Sequence, residues 1–261
     1  MAETLKLAGY YGAGKIDNSS VLITSGSVTT TRNVSYLEMV DLPKSGMAGR
    51  VIHADGTEAY EATIGFELYT GSTGILSASG LLLRGASHTF SMSDGYNGVS
   101  GRGCYVTSAS FAASSGGIIT GNVSFICSSD FSFGVASNEW NGEEIPMGYW
   151  ISGGKGKIAS WSLSMNQNAE PVYGNEDKVT PHYIKVGLVS YELTVDSYER
   201  IESNTETDST ASINIGTGEV TLKGSITGTG YDFGGNGNLG TYKYVFGTGS
   251  NTGKSNTLVI S

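Results

Sequence analysis

Gly9, Gly14 and Lys15 stand at the Gly-x4-Gly-Lys spacing of a phosphate-binding loop, the first place in this chain where residue types and spacing could do chemistry. Such a loop needs a Ser or Thr after the lysine to hold a metal ion, and a helix whose N-terminal amides converge on the phosphate. Ile16 occupies the hydroxyl position, and the residues that follow, IDNSSVLIT, continue toward a strand. Gly253–Lys254–Ser255 has the right ending, but Thr248 stands where the upstream glycine is required. A chain with 39 glycines produces such spacings by accident, and neither is read as a nucleotide site.

The remaining candidates fail in similar ways. His53, His88 and His182 fall in separate contexts; His53 has Asp55 two residues on, but no third ligand joins them, so a solvated pair is expected rather than a metal site. There is no Gly-x-Ser-x-Gly elbow and no Ser/His/Asp grouping. Glu143–Glu144, and Glu206 near Asp208, read as solvated loop charge, and the sequons at Asn18, Asn33 and Asn122 carry little weight without a secretory signal. No catalytic, cofactor-binding or metal residue is assigned, and the chain is read as not an enzyme.

Cys104 and Cys127 flank a segment that turns at Ser114–Gly117. A hairpin there sets Cys104 opposite Cys127, Val106 opposite Phe125 and Ser108 opposite Val123. The cysteines are then either small buried hydrophobes or a cross-strand disulfide; the lack of a secretion signal favours reduced thiols.

The net charge of −9 and pI near 4.8 disfavour binding to nucleic-acid phosphates, which needs clustered Lys and Arg. The N-terminal MAETLKLAGYYGAGK lacks the apolar core of a signal peptide, and no apolar run approaches the roughly 20 residues of a membrane helix. Synthesis in the cytoplasm, without a membrane anchor, is the expectation.

Short β-prone runs punctuated by Gly predict an all-β protein. Met1–Asn18 reads as an irregular arm, Val21–Thr31 as a strand, Val40–Ala59 as a long loop and Thr63–Tyr69 as a second strand. Ile75–Arg84 is the best helix candidate, although Gly80 weakens it. A short strand at His88–Met92 and the hairpin Tyr105–Ile126 follow, with Ser128–Gly156 as a connection. Lys157–Val195 reads as a strand, a polar excursion (Asn166–Tyr183) and a second strand. Ser160, Ser162 and Ser164 alternate there with Trp161, Leu163 and Met165, giving one hydroxyl and one apolar face. The apolar phase slips by one residue beside Gly187, which predicts a β-bulge. Beyond one helical turn at Tyr198–Ile201 come the hairpin Ala211–Ile215/Glu219–Thr227, a glycine-rich loop Tyr231–Gly240, and closing strands Thr241–Phe246 and Thr257–Ile260.

Three segments match between the halves in the same order: Ile23–Asn33 with Ile158–Asn168, Gly65–Tyr69 with Ser190–Thr194, and Ala109–Ile118 with Ala211–Val220. Their collinearity predicts an internal duplication: a first unit at 1–135, a connection at 136–156 and a second unit at 157–261.

The pattern SWSLSMNQNAEPVYG…TPHYIKVGLVSYELTVD, together with the hairpin Val106–Phe125, resembles the tail tube proteins of long-tailed bacteriophages and related contractile injection machines. The resemblance covers most of the second half and parts of the first. It implies two tandem antiparallel β-sandwich or barrel domains, each with at most one short helix. It further implies homo-oligomeric rings that stack into a virion tail tube, contact neighbouring tail proteins and let DNA pass through the lumen without specific binding. Val40–Ala59 and Asn166–Tyr183 would then be the loops that grip the next ring. Doubling departs from the usual single domain: a trimer can mimic a six-fold ring, or a hexamer can use one copy for the tube and the other as decoration. The competing reading is a binding module such as a tail spike, adhesin or capsid-decorating sandwich, since Ser/Thr strand faces are also ordinary solvent-facing surface.

Overall fold

Alternating apolar and hydroxyl residues can bury one face only if the strands pair side by side, and this chain pairs nearly all of them into one antiparallel system. The computed structural model describes residues 12–17, 19–40, 50–68, 75, 80–94, 97–114, 119–134, 158–174, 179–198, 209–215, 218–234, 240–247 and 258–260. The first half contributes β1 (Gly12–Ile16), β2 (Ser19–Val40), β3 (Arg50–Glu67), β4 (Ser87–Ser93), β5 (Gly98–Ser114), β6 (Thr120–Cys127) and β7 (Ser132–Gly134). The second contributes β8 (Ile158–Val172), β9 (Tyr183–Ser197), β10 (Ser209–Ile215), β11 (Gly218–Asp232), β12 (Thr241–Gly247) and β13 (Leu258–Ile260). The described residues hold no α-helix.

Six strands close on themselves in the order β1–β2–β3–β6–β5–β4, with β4 returning to β1, so the protein contains a six-stranded barrel. Closure removes sheet edges and seals Ile16, Ile64, Val123 and Phe125, each at most 1% exposed, inside. Strand β5 outruns the barrel: Gly98–Tyr105 pairs β4, whereas Ser108–Ser114 pairs β8. From β8 the sheet continues through β9, β12 and β11 to β10. Trp161, Leu163, Met165, Leu193 and Val195 of this extension belong to the same apolar core as the barrel.

The pairing pattern occurs twice. β2–β3–β6–β5–β4 has the same order, chain sequence and antiparallel sense as β8–β9–β12–β11–β10. β7 on β5 matches β13 on β11. Two irregularities fall at the same places. The ladder shifts between Ile23↔Phe66 and Ser25↔Gly65 in one half, and between Ile158↔Ser197 and Ser160↔Asp196 in the other. It shifts again at Thr107 between Val106 and Ser108, and at Thr227 between Ile226 and Gly228. Bulges re-aim every later side chain, so their coincidence fixes which residues correspond. β2 matches β8 as the sequence alignment set it. Phe66, however, corresponds to Ser197 and not Tyr191, and the hairpin β10–β11 occupies the place of β4–β5, not of β5–β6. The second and third sequence matches are therefore out of register; in a Ser- and Gly-rich chain such short identities arise without structural equivalence.

Several other expectations are corrected. Gly12–Ile16 of the N-terminal arm is β1, held between β2 and β4. Arg50–Ala59 is strand rather than loop, because the ladder to β2 runs on to Val40↔Arg50 and overrides the poor β-propensity of Asp55–Gly56. Of the helix candidate Ile75–Arg84, residues 76–79 lie outside the described residues and Gly80–Arg84 forms turns that run on to Ala86: Leu81 N–H donates to Ile75 O (2.9 Å), Leu83 N–H to Gly80 O (3.0 Å) and Ala86 N–H to Leu83 O (3.4 Å). Leu81 and Leu82 are buried here, and packing decides over propensity. Asn166–Val172 continues β8 instead of starting a loop, and Tyr231–Asp232 belongs to β11. Cys104 lies opposite Cys127 and Val106 opposite Phe125 as expected, but the bulge at Thr107 places Ala109, not Ser108, opposite Val123. The cysteines form a disulfide where reduced thiols were favoured; their register brings both, fully buried, to one cross-strand position. The bulge beside Gly187 is present: Gln167 pairs Val189 and Ala169 pairs Val186, so Gly187 and Leu188 face Asn168 alone. Residues 135–157, most of the connection, and 199–201 of the expected helical turn lie outside the described residues.

Candidate assembly surfaces

Cross-strand partners share a face, so the ladders show what the sheet presents away from the core. One row runs Ser25–Gly65–Asn122–Ser110–Ser164–Glu192–Gly247 across β2, β3, β6, β5, β8, β9 and β12. The next runs Ser27–Thr63–Ser124–Ser108–Asn166–Ser190. No member of either row is apolar. Thr63 Oγ1 and Ser124 Oγ lie 3.3 Å apart on this face, and the Ser160 hydroxyl donates to Asp196 Oδ2 (2.7 Å). No histidine lies opposite any serine of β8 in these ladders.

Edges form the second feature. Among the described residues, β2 beyond Ile23 pairs only with β3, and Ser225–Asp232 of β11 pairs only with β12. A two-stranded ribbon is marginally stable alone and an unpaired edge is a template for another strand. Beside the β11 edge, Tyr231 and Phe233 are 44% and 88% exposed, their rings in edge contact at 4.9 Å.

The excursion between β8 and β9 rests on its own barrel at Glu58. Tyr173 Oη donates to Glu58 O (3.0 Å), and Glu58 N–H donates to Val179 O (2.7 Å). The Glu58 carboxylate accepts from Tyr60 Oη (2.6 Å) and pairs with Arg32 Nε (3.0 Å). Burial first, and the hydrogen bond to Glu58 second, hold the Tyr60 phenol well above its usual range. A phenol raised in the folded state stabilises fully below the unfolded value, about pH 10, and loses that contribution as pH climbs through the folded one. Tyr60 is therefore expected to ionise only well above the ordinary tyrosine range. Tyr60→Phe should cost about 1–2 kcal/mol at neutral pH and flatten the alkaline loss of stability, followed by phenolate absorbance and urea unfolding. An unchanged alkaline profile contradicts this.

The histidines do not converge. His53 lies in β3 opposite Leu37, with Asp55 on the same strand. His182 contacts Tyr183. His88 is 1% exposed, its Nδ1 lies 2.9 Å from Asp17 Oδ2, and Nε2 has no hydrogen-bond partner. Asp17 also accepts from Thr89 N–H (2.9 Å) and takes a positive φ of 53°, so this pair pins the β1–β2 turn to β4. Sequence reading missed it because Asp17 and His88 are distant in the chain. No group of three or more His, Cys, Asp or Glu able to hold a metal exists among the described residues. Lys15 of the Gly-x4-Gly-Lys spacing sits in β1 with no helix after it; Gly253–Ser255, Glu143–Glu144, Glu206 and Asp208 lie outside the described residues. No described helix is long and apolar enough to cross a membrane. No protein-family model matches this chain, and no curated protein matches it.

Proposed function

We propose that this chain is a structural virion protein that self-assembles into rings forming part of a phage tail tube, the conduit for genome delivery. The observation that carries this reading is the polar row that crosses seven strands, β2 to β12, with a second polar row of six strands beside it. Glu192 lies on it, Asp196 and Lys243 face each other beside it, and the two rows themselves carry no cation; with a chain of net charge −9 this gives phosphate little to hold, so DNA slides past without adhering. The twice-used pairing pattern supports two tail-tube-like units, 1–135 and 157–261, in tandem. Three chains would then supply six units to a ring. Segments 41–49 and 175–178, which join β2 to β3 and β8 to β9, are the proposed contacts to the next ring and to neighbouring tail proteins. The chemistry asked of the protein is passive, with no cofactor, metal or catalytic residue. A tail spike, adhesin or decorating module has no need of a closed ring with a central hole. Negative-stain images of concentrated purified protein should therefore show rings or short tubes with a central hole. Monomers alone, or elongated fibres, contradict the proposal.

A further inference from the structure

The junction between the two halves is itself a template for how one chain meets the next. Inside the chain, the C-terminal part of β5 in the first unit pairs the start of β8 in the second: Ser108↔Asn166, Ala109↔Met165, Phe111↔Leu163, Ala113↔Trp161. The coincident bulges set β11 equivalent to β5 and β2 equivalent to β8. Tyr231 and Phe233 then occupy the places of Phe111 and Ala113, and Val28 and Gly26 those of Leu163 and Trp161. Both equivalent edges are unpaired among the described residues.

The side chains fit this correspondence. At the internal junction Phe111, Leu163, Trp161 and Ala113 are 1%, 2%, 3% and 7% exposed. At the equivalent places Tyr231 and Phe233 are exposed, as a junction half without its partner must be. The large–small complement is also reversed. Inside the chain Trp161 stands opposite Ala113, whereas Phe233 would stand opposite Gly26, a residue whose added Cβ would collide with Met92 Sδ. We infer that β11 of one chain pairs antiparallel with β2 of a second copy, Tyr231 opposite Val28 and Phe233 opposite Gly26. This joint is head-to-tail: it uses two different edges, so it propagates and closes wherever the rotation per chain divides a full turn. It rests on the ring reading and names the strands that make the ring.

The register gives the test. Thr30 falls opposite Thr229, and Thr29 opposite Gly230. Thr29, Thr30 and Thr229 are exposed, and a Cβ at Gly230 meets nothing nearer than Lys243 Cβ at 3.9 Å. Neighbouring pairs alternate between the two cross-strand geometries, so one of T30C/T229C and T29C/G230C should suit a disulfide. Under mild oxidation, with the Cys104–Cys127 bond intact, one double variant should form a ladder of cross-linked chains. The two single variants of that same pair, mixed, should give a dimer that neither gives alone. Separately, F233D should abolish assembly in sedimentation without shifting the melting temperature, since Phe233 is 88% exposed. Rings with no cross-linked species in either double variant, or an F233D protein that still assembles, overturn this joint and leave the ring reading standing. A parent protein that stays monomeric at every concentration overturns both.

Discussion

Phe125→Ala is expected to cost about 3–5 kcal/mol of folding stability, the range for emptying a well-packed aromatic site. Phe125 is 1% exposed, sits opposite Ala62 and Val106, and stacks on Phe90 with ring centres 5.9 Å apart and planes 15° apart. Its ring also lies 6.1 Å from that of His88, so the space left behind is lined by groups fixed to three strands and cannot collapse easily. A whole domain is stable by only about 5–15 kcal/mol, so the variant should approach the threshold for folding at growth temperature. Urea unfolding should show a lower midpoint with unchanged slope. A cost below about 1 kcal/mol contradicts the placement of Phe125 at the centre of the barrel.

Gln167→Leu should cost about 2–4 kcal/mol through unmade hydrogen bonds rather than lost packing. Gln167 is 3% exposed. Its Nε2 donates to Val106 O (2.8 Å), the carbonyl just before the bulge at Thr107, and its Oε1 accepts from Gly85 N–H (3.1 Å). The side chain therefore ties β8 to the barrel and to the turn after Leu82. Tyr191 Oη to Leu82 O (2.6 Å) and Arg84 Nε to Gly187 O (3.1 Å) join the same elements from β9. Leucine fills similar volume but leaves the buried Val106 carbonyl, and the part-buried Gly85 N–H, without their partners. Gln167→Glu should be worse than Leu, because it also buries a charge. Denaturant unfolding of both variants checks this, and equal stability to the parent would sink it.

What the sequence revealed divides along physical lines. The alternation of Ser160–Met165, the hairpins and the Cys104–Cys127 register depend on neighbours within one or two strands, and they are readable from period and turn residues. The bulge at Gly187 was legible too, because a phase slip is written directly in the order of apolar residues. Barrel closure was not: it needs β1 to pair β4, a contact between segments far apart whose pattern, GAGKI, carries little hydrophobic signal. The reach of β3 back to Arg50 was hidden by Asp55 and Gly56, which mark turns locally but lie in a ladder fixed by β2. Gln167 was read as the start of a polar loop because its two partners, Val106 and Gly85, are distant in sequence. The repeated pairing pattern was legible in one segment, Ile23–Asn33 with Ile158–Asn168, which lie on the matching strands β2 and β8. The true register of the rest lies in bulges at Thr107 and Thr227, which no residue identity announces.

The central claim is that the hydroxyl face of the sheet lines a conduit, and labelling that face inside an assembled particle tests it most directly. Ser162 is exposed on it, opposite Thr194 and Ala112, and with Cys104 and Cys127 bonded to each other a Ser162→Cys variant carries a single reactive thiol. A small gold cluster coupled there should appear, in averaged images of end-on rings, at the central hole. Gold distributed around the outer rim would contradict the account.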